Sequence, residues 1–183
     1  AERITALLEA TRGRAFVLFT SYANLHQVHR LIAPNSQFPL LVQGTAPRSV
    51  LLRNFRATPH AVLLATSSFW QGVDVAGDAL SCVIIDKLPF TPPGDPITAA
   101  RMDAIARDGG SPFADYQVPM AILTLLQGIG RLIRHRQDRG VLSILDSRML
   151  TKGYGGRFLA SLPPSPIVRE IADVEQFLTE KGI

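Results

Sequence analysis

Gln127-Gly128-Ile129-Gly130-Arg131-Leu132-Ile133-Arg134 is followed, after six residues, by the largely apolar run Val141-Leu142-Ser143-Ile144-Leu145. The first stretch ends a helical pattern that starts near Pro119. At 3.6 residues per turn, Gln127, Arg131 and Arg134 fall within an arc of roughly 60°, while Ile122, Leu125, Leu126, Ile129, Leu132 and Ile133 cover the opposite side. One face is built to pack and the other presents two guanidiniums and an amide. The second stretch lacks the in/out alternation of a half-exposed strand, as strands buried on both faces do. A helix that packs on one side and feeds a fully buried strand points to a parallel sheet covered by helices.

The same pairing recurs outward along the chain. Ala15 to Phe19, Pro39 to Gln43, Ala61 to Ala65 and Cys82 to Asp86 read as further buried strands, with helical patterns at Leu25 to Ala33 and Arg48 to Arg56 between them. The alternation predicts an α/β sandwich with a mostly parallel sheet, right-handed crossovers and functional loops at the carboxyl ends of the strands. One connection is long. Between Asp86 and Val141 a Pro-rich stretch, Pro89 to Pro96, precedes two helical segments, and Asp108-Gly109-Gly110-Ser111-Pro112 breaks the helix expected over Ile97 to Arg107. This marks a helical insertion at approximately 89–118. A C-terminal helical extension is expected at approximately 149–183, divided by Gly153-Tyr154-Gly155-Gly156 and Pro163-Pro164-Ser165-Pro166. Residues 1–183 read as a single domain.

Composition narrows the partners. Sixteen of the 19 basic residues are Arg and the net charge is +4, a balance compatible with phosphate-bearing ligands because guanidinium binds phosphate bidentately. No apolar stretch reaches the length of a membrane span and the segment Ala1 to Arg14 is charged, so no membrane partner and a cytoplasmic location are expected. Cys82 stands alone in an apolar run, which predicts a buried structural thiol. His26, His29, His60 and His135 have no metal-ligand spacing, so no metal site is expected in this chain.

An ATPase site of its own would need a Gly-rich loop ending in Gly-Lys-Ser/Thr, and the dipeptide Gly-Lys does not occur. Cys82-Val83-Ile84-Ile85-Asp86 mimics a strand with a Mg²⁺-binding acid at its carboxyl end. Lys87 follows it, where a water-orienting Glu would be needed.

Three segments nevertheless resemble motifs of superfamily 2 helicases of the DinG/XPD-like kind. The Gln127 to Arg134 run is similar to motif VI, in the form Gln-x-x-Gly-Arg-x-x-Arg. Ser68-Phe69-Trp70-Gln71-Gly72-Val73-Asp74-Val75-Ala76-Gly77 resembles motif V, and Val17-Leu18-Phe19-Thr20-Ser21-Tyr22 resembles motif IV. They stand in the family's order, from about Arg14 to Arg148.

The resemblance implies a RecA-like three-layer sandwich acting as the second motor lobe of an ATP-dependent DNA helicase. By the same resemblance, Arg131 and Arg134 are the catalytic arginines that reach a γ-phosphate held by the other lobe, and Gly130 leaves room for their approach. Gly72, Asp74, Gln127 and Gly130 lie toward the nucleotide, and Ser21, Tyr22, Thr66 and Ser67 toward single-stranded DNA. ATP and Mg²⁺ would be bound mainly by the first RecA-like lobe of the same polypeptide, which is where the family's iron–sulfur cluster would also sit. Translocation would run 5′ to 3′. The bland alternatives are a helix cap for Thr20 or Ser21, packing for Trp70, and, for the whole chain, a catalytically silent RecA-like protein-interaction module.

Overall fold

The computed structural model describes residues 1–66, 69, 80–92, 94–130 and 139–182. Strands β1 (Ala15–Phe19), β2 (Leu40–Val42), β3 (Val62–Thr66), β4 (Cys82–Ile85) and β5 (Val141–Ile144) form one sheet in the order β2-β3-β1-β4-β5. Every pairing is parallel. The helices are α1 (Glu2–Ala10), α2 (Tyr22–Ile32), α3 (Arg48–Ala57), α4 (Pro96–Arg107), α5 (Val118–Ile129), α6 (Arg148–Thr151), α7 (Gly155–Ser161) and α8 (Ile171–Lys181). Each strand lies within one residue of its expected segment, because the apolar runs that mark it are the stretches buried on both faces.

Successive strand residues point into two separate cores. Phe16, Leu18, Leu63, Val83 and Ile85 pack with Leu51 and Phe55 of α3, Leu125 and Ile129 of α5, and Phe158 of α7. Val17, Phe19, Val62, Leu64 and Ile84 pack with Ile4 and Leu7 of α1, Leu25 and Ile32 of α2, and Val174 and Leu178 of α8. The result is three layers, helices on both faces of a parallel sheet, as expected. Among the described residues no helix is long and apolar enough to cross a membrane.

Several local features differ from the sequence expectation. Helix α1 has no counterpart in it, although Ile4, Leu7 and Leu8 are spaced to bury one face. The turn after it is tight: Arg12, Gly13 and Arg14 all have positive φ, and a Cβ on Gly13 would lie 2.1 Å from the His60 carbonyl oxygen. Thr11 closes this turn by donating to the carbonyls of Leu7 and Gly13. Helix α2 starts at Tyr22, three residues before Leu25, since Ser21 caps it. Helix α5 ends at Ile129, with Gly130 as its C-cap. The expected helix continued to Arg134, but residues 131–138 lie outside the described part.

The long connection holds α4, capped by the Asp95 carboxylate on the N–H groups of Ile97 and Thr98. A π-helical turn, Phe113–Gln117, then leads into α5. Phe113 stacks on Phe90 at 5.5 Å, and both rings meet Tyr154. This aromatic cluster ties the connection to the start of α7, where Gly155 is needed because a Cβ would lie 2.0 Å from the Met149 carbonyl oxygen.

Candidate functional site

The parallel sheet brings the ends of β1, β2, β3 and β4 to one carboxyl edge. Ser21, just past β1, has extended backbone angles and its Oγ accepts from the Asn24 N–H at 3.2 Å, an N-cap for α2. Tyr22 begins that helix and is 48% exposed. Thr66 ends β3 and is buried. Its N–H donates to Gln43 Oε1 at 2.6 Å and its hydroxyl donates to the same oxygen at 3.0 Å. The Gln43 amide nitrogen in turn donates to the Tyr22 hydroxyl. The structure therefore links Tyr22 and Thr66 through a glutamine that the sequence does not single out, with Ser21 beside Tyr22 in the chain as the cap of α2. Ser67 lies outside the described residues.

Asp86, at the end of β4, does the same on the other side of β1. Its carboxylate accepts from the Thr20 N–H at 3.2 Å and the Asn24 side-chain amide at 3.0 Å, so the acid that mimics a Mg²⁺ ligand in sequence holds the β1–α2 turn instead. Burial pushes its carboxyl above the usual range, opposed by the hydrogen bonds from Asn24, Thr20 and Lys87 and by the Lys87 charge. A raised carboxylate contributes its stability below the ordinary pKa of about 3.9 and loses it as pH rises through the higher folded value. Asp86→Asn keeps an acceptor for Thr20 without the buried charge. We expect its Tm to equal or exceed that of the unaltered protein at about pH 7 and to lose that advantage at about pH 3.5. Thermal melts at both pH values check this, and a variant destabilised mainly at pH 7 would contradict it.

On the β5 side Asp146 is buried and accepts from the Leu88 N–H at 2.8 Å and from the Arg148 guanidinium. Burial works against its charge, but the Arg148 side chain and the Leu88 and Arg148 N–H groups outweigh it and hold the carboxyl below its usual range. Arg148 also lies 5.4 Å over the Phe90 ring. The turn after β4 and the turn after β5 are thereby locked together.

The Gln127 to Gly130 segment, at the end of α5, belongs to the opposite edge of the sheet. Phe113 stacks on Phe90, beyond the carboxyl end of β4, so α5 starts on that side. Its 12 residues span about 18 Å at 1.5 Å per residue and bury Val118, Ala121, Leu125 and Ile129. The chain must then return to the amino edge, where β5 begins with the Val141 N–H on the Ser81 carbonyl. Gln127 and Gly130, at the end of α5, lie toward this amino edge. A Cβ on Gly130 would meet ordinary contact at 3.4 Å, so no described neighbour requires glycine there. Arg131 and Arg134, and Gly72, Asp74 and Trp70, lie outside the described residues. Of the motif V segment, Phe69 is described: it is buried in the core beneath the Arg48 guanidinium, 5.4 Å from its ring centroid.

Metal chemistry has little to use in the described part. Among the described residues no three His, Cys, Asp or Glu side chains cluster to hold an ion. Burial pushes the Cys82 thiol up to about 12, against a hydrogen bond with Thr11 that lowers it.

A parallel five-stranded sheet with helices on both faces is the architecture of RecA-like helicase domains. The chain superposes on a structure titled XPD helicase with a TM-score of 0.65, over 91% of this chain and 31% of that one, at 19% identity. Residues 4–165 match the Helicase C-terminal domain family, and the chain belongs to it. It is 49% identical over 178 residues to the ATP-dependent DNA helicase YoaA of Escherichia coli (strain K12), covering 97% of this chain. It is 40% identical over 180 residues to the 3′-5′ exonuclease DinG of Bacillus subtilis (strain 168), covering 96% of this chain. The chain spans 28% and 19% of the length of these two relatives.

Proposed function

We propose that this chain is the second motor lobe of an ATP-dependent DNA helicase, joined in the whole protein to a first RecA-like lobe that holds ATP and Mg²⁺. The observation that carries the reading is the use of both edges of one sheet. Hydroxyl-bearing turns gather at the carboxyl edge, around Ser21, Tyr22 and Thr66, while the helix that leads into Arg131 ends toward the amino edge. A lobe so arranged faces DNA with one edge and a nucleotide with the other.

In this reading Arg131 and Arg134 meet the γ-phosphate across the interlobe cleft when it closes. Charge on the transferred phosphoryl group spreads over its oxygens, and guanidiniums delivered from outside stabilise it only in the closed state. Asp74 and Gly72 lie at the same cleft. Repeated closing and opening moves the pair along single-stranded DNA, 5′ to 3′ as in the family this chain resembles. An iron–sulfur cluster, if the whole protein holds one, takes its ligands from outside this chain's described residues.

Hydroxyl and backbone N–H groups grip phosphates without reading bases, which suits a motor that must travel over any sequence. With few phosphates touched, the lobe alone should bind single strands weakly and with a shallow salt dependence. Titration with labelled single-stranded DNA at several salt concentrations tests this, beside a Ser21→Ala/Thr66→Ala double variant expected to lose most of the binding. Removing the Ser21 cap costs about 1 kcal/mol of helix stability, so the comparison is made well below both melting points. Tight, sequence-selective binding, or binding indifferent to the double substitution, would place the track elsewhere.

A further inference from the structure

Gln43 is a glutamine 8% exposed at the end of a strand, in a position that Val42 and Leu41 before it fill with apolar side chains. A buried amide is costly unless its hydrogen bonds are made, so the residue type needs a reason beyond filling space. Its partners supply one. The Thr66 backbone N–H can only donate, which fixes Oε1 toward β3 and turns the amide NH₂ toward Tyr22. The Thr66 hydroxyl also donates to Oε1, so its hydrogen is spent inside the protein. The Tyr22 oxygen accepts from Gln43, so its own hydrogen is directed away from the glutamine, on a side chain that is 48% exposed. Hydrogen bonds in such a chain polarise one another, and a phenol that accepts one donates the next more strongly.

We infer that Gln43 is a positioning residue that aims the Tyr22 hydroxyl as a hydrogen-bond donor to a backbone phosphate of single-stranded nucleic acid. Thr66 anchors this relay through its bonds to Gln43 Oε1, so its replacement weakens the grip on the strand through Gln43 and Tyr22 rather than by loss of a direct contact. The inference rests on the reading of the carboxyl edge as a DNA track, and goes further by assigning which hydroxyl touches the phosphate and which group orients it.

The test uses the whole protein that contains this chain and a fluorescein-labelled oligothymidylate, with affinity read by anisotropy. Gln43→Met, which keeps the side-chain volume, and Tyr22→Phe are each expected to weaken binding by about tenfold, the scale of a lost charge-assisted hydrogen bond. The double variant should bind no more weakly than either single one, because both remove the same interaction. Incorporated 3-fluorotyrosine, with the Tyr22 signal assigned by its loss in Tyr22→Phe, gives a readout that a purely structural role would not move. The ¹⁹F resonance of Tyr22 should shift on DNA addition in the unaltered protein and not in Gln43→Met. Should Gln43→Met not fold, Tyr22→Phe and the fluorine shift still decide. Unchanged affinity in Tyr22→Phe, additive losses, or a Tyr22 resonance blind to DNA overturns the inference while leaving the DNA track intact. Failure of the unaltered protein to bind the oligothymidylate overturns both.

Discussion

Replacing either Arg131 or Arg134 by Ala is expected to lower kcat for ATP in the two-lobe protein by about 10³-fold or more, the scale on which arginine fingers act. The expectation follows from where positive charge is needed. Phosphoryl transfer leaves little covalent work for the protein, so rate comes from positioning and from stabilising charge that develops on the equatorial oxygens. The packed face of α5, with Leu125 and Ile129 in the core, immediately precedes Arg131 in the sequence. Nucleotide binding should suffer less, because the proposed arrangement leaves most ground-state contacts to the first lobe. Steady-state ATPase rates at saturating single-stranded DNA, with nucleotide affinity measured in parallel, check both parts. A variant that hydrolyses ATP at the unaltered rate would remove that arginine from the catalytic role.

The second large effect is an absence of turnover: the 183-residue chain alone is expected to show no DNA-stimulated ATP hydrolysis. It has no Gly-Lys loop to wrap phosphates. Its nearest candidate for a Mg²⁺ ligand, Asp86, is engaged with Thr20 and Asn24 at the carboxyl edge, and Lys87 follows it in place of a water-orienting acid. Phosphate release assays on the purified chain, with and without DNA, check this. Turnover that survives repeated purification and scales with the chain's concentration would contradict it.

The fold was open to reading because its strands are buried on both sides, so the apolar runs at Ala15, Ala61 and Cys82 have no exposed face to interrupt them. Helix α1 was not, although its apolar spacing is regular. Ala1 offers no capping side chain, and a charged, short N-terminal stretch carries no other start signal. Boundaries moved where a cap decided them, at Ser21 for the start of α2 and at Gly130 for the end of α5.

The candidate site divides in the same way. The segments that resemble motifs IV, V and VI are continuous in sequence, and their residues could be nominated directly. Gln43 could not, since its partners lie 21 and 23 residues away and meet it only when β2 and β3 pair and α2 folds back over them. Asp86 carried a recognisable sequence pattern whose meaning was reversed by tertiary contacts: an acid at a strand end, used to hold a turn. The separation of the two edges was implied by the parallel sheet, because a helix that feeds a parallel strand ends at the edge where that strand begins.

The most direct measurement of the central claim compares DNA-stimulated ATP hydrolysis by the whole protein with that of the same protein lacking residues 1–183, alongside binding of a fluorescent ATP analogue to each. A second motor lobe that completes the catalytic site from across a cleft requires stimulated hydrolysis in the whole protein, with loss of that hydrolysis but retention of nucleotide binding on deletion. Hydrolysis that continues at the full rate without these residues would contradict the account and make the chain a protein-interaction module on a motor complete without it.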